Sequence, residues 1–411
     1  MNMKKAFFVA TMVLTSAVFA SAETPRFRGP EGDGKFTATG LLREWPADGP
    51  PVAWIAEGFG DGYSSVSVSD GNIYVTGMTP DQTGHLYILD MEGAVQKTIS
   101  YGPETLDEWA AGPRATPAID GNRAYLLSGP GVVYALDLDA GAVLWDVDIL
   151  ARFGAENITW QLAESLLVDG DNVICTPGGS EGAVVALHKM TGETVWAMTE
   201  LNEPASYCSP AIITHNGRRI LVTMPTNCVV GLDPDTGALL WRHEHTTRHD
   251  IHAVTPVYGD GLVYYSSGYG SGGGALALSE DGASIVPKWR DETLDCQHHG
   301  VVLVDGYLYG TAHSNRTGLV CLELETGKVM WTAAEITQGN VVYADGMLYV
   351  YEGPRVGQAS LIKPSPEGLD VRGQFTVTAG TEQHWPHPTI AHGLLLIRRG
   401  DAVIAYNIKA D

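Results

Sequence analysis

Ala135–Trp145 reads ALDLDAGAVLW, and the phrase returns as ALHKMTGETVW at Ala186–Trp196, GLDPDTGALLW at Gly231–Trp241 and CLELETGKVMW at Cys321–Trp331. In each copy a glycine stands four residues before the tryptophan, at Gly141, Gly192, Gly237 and Gly327. A second phrase, a small turn followed by a β-rich run, marks the same period. It is centred on Gly71, Gly121, Gly170, Gly217, Gly261, Gly306, Gly346 and Gly393, spaced 40 to 50 residues apart. That interval is the length of one four-stranded propeller blade. The chain therefore predicts an all-β, eight-bladed propeller of four-stranded antiparallel blades.

Within one unit, Asp-Gly or Asn-Gly between alternating apolar and polar residues supplies the positive φ angles of a tight hairpin between the first and second strands. The Asp-x-x-Thr-Gly stretch turns the chain between the third and fourth. The tryptophan then falls on the fourth strand, where a large ring fills the space between blades, so these tryptophans are assigned to packing rather than catalysis. Three units depart from the pattern. Lys97 occupies the tryptophan position of the first, Trp289 is displaced in the fifth, and Phe375 replaces it in the seventh. The eighth unit has three strands, and the segment Pro51–Ile55, with Trp54, is expected to supply the fourth and close the ring. Closure removes exposed sheet edges.

The unbroken repeat makes residues 51–411 one domain, with 23–50 expected to wrap outside it. Residues 1–22 read as a signal peptide: a basic start at Met1–Lys5, an apolar stretch at Ala6–Phe19, and the small residues Ala20-Ser21-Ala22 before a cut ahead of Glu23. The mature chain is expected to be periplasmic or secreted and monomeric. No cysteine at the cut suggests a lipid anchor, and no later stretch is apolar over a membrane-spanning length. The net charge of −23 disfavours nucleic acid and anionic lipid as partners. Five cysteines, Cys175, Cys208, Cys228, Cys296 and Cys321, show no Cys-x-x-Cys spacing, and any disulfide pairing stays open.

The Asp-x-x-Thr-Gly-x-x-x-Trp phrase, repeated around an all-β ring, resembles the pyrroloquinoline-quinone-like (PQQ-like) propeller family, which holds quinoprotein alcohol dehydrogenases and the propeller lipoprotein of outer-membrane assembly. The stretches FRGPEGDGKFTATGLLREWP, GFGDGYSSVSVSDGNIYV and CQHHGVVLVDGYLYG are similar to a group of smaller exported members. The resemblance implies three functions: a platform binding a ligand or partner, a PQQ- and calcium-dependent dehydrogenase, or an envelope-protein scaffold. In the dehydrogenase reading Arg114 and histidines would contact the quinone carboxylates, and Glu164 or Asp250 would serve as base. The dehydrogenases of the family place the quinone beside a disulfide of adjacent cysteines, and no two cysteines are adjacent here.

In a propeller the first strand of each blade lines the central channel, so the residues just before it converge on one face. Here they are Tyr63 and Ser64; Arg114; Trp160, Gln161 and Glu164; Tyr207; His249, Asp250 and His252; Gln297, His298 and His299; Gln338 and Asn340; and Gln383, His384, Trp385 and His387. Imidazoles, amides, aromatic faces and a guanidinium suit a small planar, polar or anionic ligand. Converging imidazoles with Glu164 or Asp250 would equally suit a transition metal, and water-filled loops are polar without any ligand. Adjacent His298 and His299 on an extended chain point to opposite faces, which argues against both binding one ion. The glycine run Gly268–Gly273 lacks a following helix and carries no phosphate-loop meaning.

Overall fold

The computed structural model describes residues 23–106 and 109–410; the leader expected at 1–22 lies outside them. Eight antiparallel four-stranded sheets form the ring, as the repeat predicts. Their inner strands, blades 1 to 8 in order, are Ser67–Ser69, Ala118–Asp120, Leu167–Asp169, Ala211–His215, Val257–Gly259, Val302–Val304, Gly339–Ala344 and Thr389–Ala391. A five-residue helix, Ile149–Phe153, is the one α-helix among the described residues; Asp148 caps its start through Ala151 N and Gly154 ends it in the left-handed conformation. Blade 8 is closed by Val52–Glu57, which pairs antiparallel with the C-terminal strand Ala402–Asn407 as its outer strand. The two ends of the chain thus complete one sheet.

The hairpins between first and second strands take the turn geometry that their sequences require: Asp70 and Gly71 sit at φ 50° and 71°, Asn216 and Gly217 at 48° and 84°. The glycine-to-tryptophan phrase, by contrast, is explained between blades rather than within one. Trp145, Trp196, Trp289 and Trp54 each donate Nε1–H to a carbonyl in the next blade's third-to-fourth turn, at Lys189, Pro234, Leu324 and Met91, over 2.8–3.1 Å. Each indole lies on that turn's glycine. A Cβ at Gly192, Gly237, Gly327 or Gly93 would stand within 3 Å of the ring. At these four seams the tryptophan of one blade is therefore paired with the glycine of the next; Trp331 keeps the donor bond, to Ser365 O at 2.8 Å, while Trp241 packs on Gly231 of its own blade.

The departures from the phrase keep this seam. Trp289, expected out of place, pairs opposite Ala275 just before a bulge, as Trp145 does opposite Ala135. Its longer turn is absorbed before the strand. Lys97 reaches the carbonyls of Leu138 and Asp139 at 2.7 and 2.8 Å, replacing the indole donor with an ammonium. Phe375 instead receives the N-terminal segment: its ring meets Trp45 at 5.2 Å and Tyr406 at 4.6 Å.

That segment corrects the expectation that 23–50 wraps outside the ring. Thr24 pairs with Val68 on the inner strand of blade 1, Ile119 N of blade 2 donates to Pro25 O, and Lys35–Phe36 add in parallel to the inner strand of blade 7. Residues 24–36 thus run inside the ring. The chain then leaves past Leu41 and Trp45 towards the rim of blade 8. The physical reason is the edge of each inner strand, whose unpaired N–H and C=O groups face the channel and need partners. The opening FRGPEGDGKF folds back on itself at Gly29 (φ 85°), with Gly34 N donating to Arg28 O at 2.9 Å.

Candidate functional site

On the face opposite the Asp-Gly hairpins, the residues preceding the inner strands link blade to blade in an unbroken circle. Tyr63 N donates to Pro113 O, and Arg114 donates to Trp160 O. Trp160 N donates to the Tyr207 hydroxyl oxygen at 3.2 Å, and Tyr207 N donates to His252 O. Gln297 Nε2 donates to Tyr269 Oη at 2.7 Å, and Gln338 Nε2 lies 3.0 Å from His299 Nε2. Asn340 Nδ2 donates to the carbonyls of Trp385 and Pro386, and Trp385 stacks on Tyr63 at 5.2 Å, where the circle closes. The Tyr63 hydroxyl bonds Gln383 Oε1 at 2.5 Å, which orients this aromatic pair.

The predicted residues divide into two layers. Arg114, Trp160, Gln161, Tyr207, Gln297, His298 and Trp385 are partly exposed at the funnel, and Tyr63, packed on Trp385, is buried. Ser64, Glu164, His252, His299, Asn340, His384 and His387 are buried behind the funnel. Ser64 Oγ accepts from the fully buried Arg398. Gln161 Oε1 accepts from Thr105. His252 is held between Ser267 Oγ and Thr226 O, both at 2.7 Å, and burial lowers its pKa to about 4. His384 bonds the Tyr351 hydroxyl, and burial lowers it likewise to about 4.

Glu164 turns away from the funnel: its two oxygens accept from the backbone N–H and the hydroxyl of Thr176, and burial raises its pKa to about 7. It fastens the strand entry to the second strand, as Glu352 does through Thr337 in blade 7. Asp250 and His249 are exposed at the rim. Among the described residues no three His, Cys, Asp or Glu side chains gather as metal ligands would, and the five cysteines are buried, free and distributed over the ring. A calcium ion with a quinone above it needs several acidic and amide oxygens converging on one point. Glu164 is committed to Thr176 and Asp250 stands on the rim, so the donor set does not fit.

His298 is the most chemically open group of the floor. Its ring stacks on His299 at 4.0 Å and meets Trp385 edge-on at 6.1 Å, and its Nε2 is sealed from solvent with no protein partner. Burial lowers its pKa to about 4, so the ring is neutral and carries one donor and one acceptor. His387 below it bonds the His298 carbonyl at 2.9 Å. Sequence reasoning missed Tyr269, which comes from a turn between second and third strands rather than an entry segment. It also missed Arg28, which reaches this floor from the N-terminal segment. A groove of about 560 Å³ opens on the opposite face, between that segment and blades 2–4. Two of its carboxylates are paired, Asp120 with Lys189 and Asp169 with Arg219.

An eight-bladed ring with a polar aromatic funnel defines the class: a PQQ-like β-propeller. The profile of the family of the outer membrane protein assembly factor BamB (PQQ_2) matches residues 82–333, more than half of the chain, and the chain belongs to that family. The outer membrane protein assembly factor BamB of Yersinia pestis is 23% identical over 247 residues, 57% of this chain. The chain spans 60% of that protein's length. Among solved structures, BamB from Moraxella catarrhalis superposes with a TM-score of 0.62 at 17% identity, covering 87% of this chain and 99% of that one. A europium-containing methanol dehydrogenase superposes with 0.68 at 13% identity, covering 93% and 91%. At such identities these likenesses show the fold. No helix of the described residues is long and apolar enough to cross a membrane.

Proposed function

We propose that the chain is an exported, non-redox binding platform whose funnel takes up a small planar polar or anionic ligand. The observation that carries the reading is the His298 floor: a neutral imidazole with a sealed, unpartnered Nε2, flanked by Trp385 and Tyr63 and by the amides of Gln297 and Gln338. Aromatic walls supply stacking area, and the amides and imidazole supply orienting hydrogen bonds.

The test is titration of the purified protein with a panel of planar heteroaromatic acids that includes pyrroloquinoline quinone, with and without calcium, followed by tryptophan fluorescence and calorimetry. A bound member whose affinity falls at least tenfold in Trp385→Ala, without calcium dependence or dye reduction, supports the platform. Calcium-dependent binding with dye reduction would install the dehydrogenase reading in its place. The absence of any binding would remove the funnel as a ligand site. A second reading, an envelope-protein assembly role, is favoured by the family match over residues 82–333. It is checked by photo-crosslinking from Trp109, which is 68% exposed on the loop before blade 2.

A further inference from the structure

We infer that Arg28, carried into the channel by the N-terminal segment, is the positioning residue of the funnel: together with the His298 carbonyl it sets the tautomer of His387, and through that ring it holds the segment bearing His298. This positioning role rests on the reading of the funnel as a ligand site.

The inference follows from donor and acceptor chemistry. A guanidinium has five N–H donors and no acceptor. Arg28 Nη1 lies 3.1 Å from His387 Nδ1, so Nδ1 must present its lone pair and the ring proton must sit on Nε2. Nε2 lies 2.9 Å from the carbonyl of His298, which can only accept. Both contacts independently require the same tautomer. Neutral His387 satisfies them together, whereas an imidazolium would set an N–H against a guanidinium N–H and a cation against a cation. The groups around the ring agree. Besides Arg28 they are His298, His299 and the Phe27 ring at 4.9 Å, none of them an anion.

The guanidinium itself is housed without a carboxylate. It is buried and donates to Val301 O at 2.9 Å and, more weakly, to Val341 O and Asp33 O at 3.4 Å. The Asp33 side chain is directed to Lys35 N instead. Two glycines mould the site: a Cβ at Gly300 or Gly34 would fall 1.7 or 2.3 Å from a guanidinium nitrogen. Arg28 therefore joins carbonyls of blades 6 and 7 to an imidazole of blade 8. That imidazole in turn holds the backbone of His298 and leaves the His298 ring free to meet Trp385 edge-on.

The experiment is nitrogen-15 imidazole spectroscopy of the histidine-labelled protein, with the His387 signal assigned by its loss in His387→Gln. The expected wild-type signature is a neutral ring with a bonded, unprotonated Nδ1 and a protonated Nε2, unchanged from pH 5 to pH 8. Arg28→Met leaves the His298 carbonyl as the remaining constraint on the ring, so it should move the Nδ1 signal from its bonded towards its free position and perturb the His298 signals, and Arg28→Lys, which keeps a buried donor, should restore the bonded Nδ1 signal. A wild-type His387 protonated on Nδ1, or one that titrates within that range, overturns the inference, as does an unchanged spectrum in Arg28→Met. If Arg28→Met does not fold, the wild-type spectrum decides by itself. The spectrum is independent of any ligand, so failure of the whole planar-acid panel to bind would sink the platform reading, and with it the ligand-positioning role, while the His387 spectrum still decides whether Arg28 holds the ring.

Discussion

Gly217 and Gly237 lie in the same blade, at φ 84° and 73°, and allow the seam to be weighed against backbone strain alone. Alanine at either position costs about 1–2 kcal/mol for the left-handed conformation, partly offset by about 0.4–1 kcal/mol of lost freedom in the unfolded chain. At Gly217 a Cβ meets nothing within 4 Å, so Gly217→Ala stops there. At Gly237 it would stand 2.4 Å from Trp196 Cε3, and the indole must move. Overpacking adds about 1–3 kcal/mol, and loss of the 3.1 Å bond from Trp196 Nε1 to Pro234 O adds about 1 kcal/mol. The excess at Gly237 should be about 2–4 kcal/mol, which for a domain of this size lowers Tm by a further ~2–5 °C. Differential scanning calorimetry of the two variants measures it. A second pair made on Trp196→Val should lose the excess, because the ring that opposes the methyl is gone. Equal Tm values for Gly217→Ala and Gly237→Ala would refute the account of the phrase as an inter-blade contact.

Two pH effects follow from buried titratable groups. His252 is neutral in the fold with its pKa near 4, against about 6.5 unfolded, so its contribution is complete above pH 6.5 and is lost as pH falls towards 4. The total is about 3 kcal/mol, at 1.36 kcal/mol per unit, and chemical denaturation should show a shallower acid limb in His252→Gln; parallel limbs would contradict it. Glu164 has the opposite sign: raised to about 7, its contribution is complete below pH 4.5 and is lost as pH rises through 7. Glu164→Gln should therefore flatten the fall in stability between about pH 4.5 and pH 7, and identical slopes would show that the carboxyl titrates normally.

The likeness to both BamB and a methanol dehydrogenase describes one frame that carries different sites. Glu164 serves the blade rather than the lumen, and the channel floor is built by residues 24–36.

The blade count, the turn chemistry and the closure by Val52–Glu57 were legible in the sequence, because each depends on local rules. Asp-Gly pairs adopt positive φ wherever they fall, and a three-stranded remainder needs a fourth strand. The entry segments were legible as a set for the same reason, since strand order alone brings them to one face. Which of them face the lumen was not. Glu164, His252 and His387 occur in segments like those of Trp160 and His298, and only packing between neighbouring blades decides whether a side chain meets solvent or a carbonyl. The course of residues 23–36 was equally hidden, for nothing in FRGPEGDGKF distinguishes a strap outside the ring from one inside it. The deciding partners, Val68, Val301, Val341 and His387, are supplied by blades dozens to hundreds of residues away, and the unpaired inner edges they belong to exist only once the ring has closed.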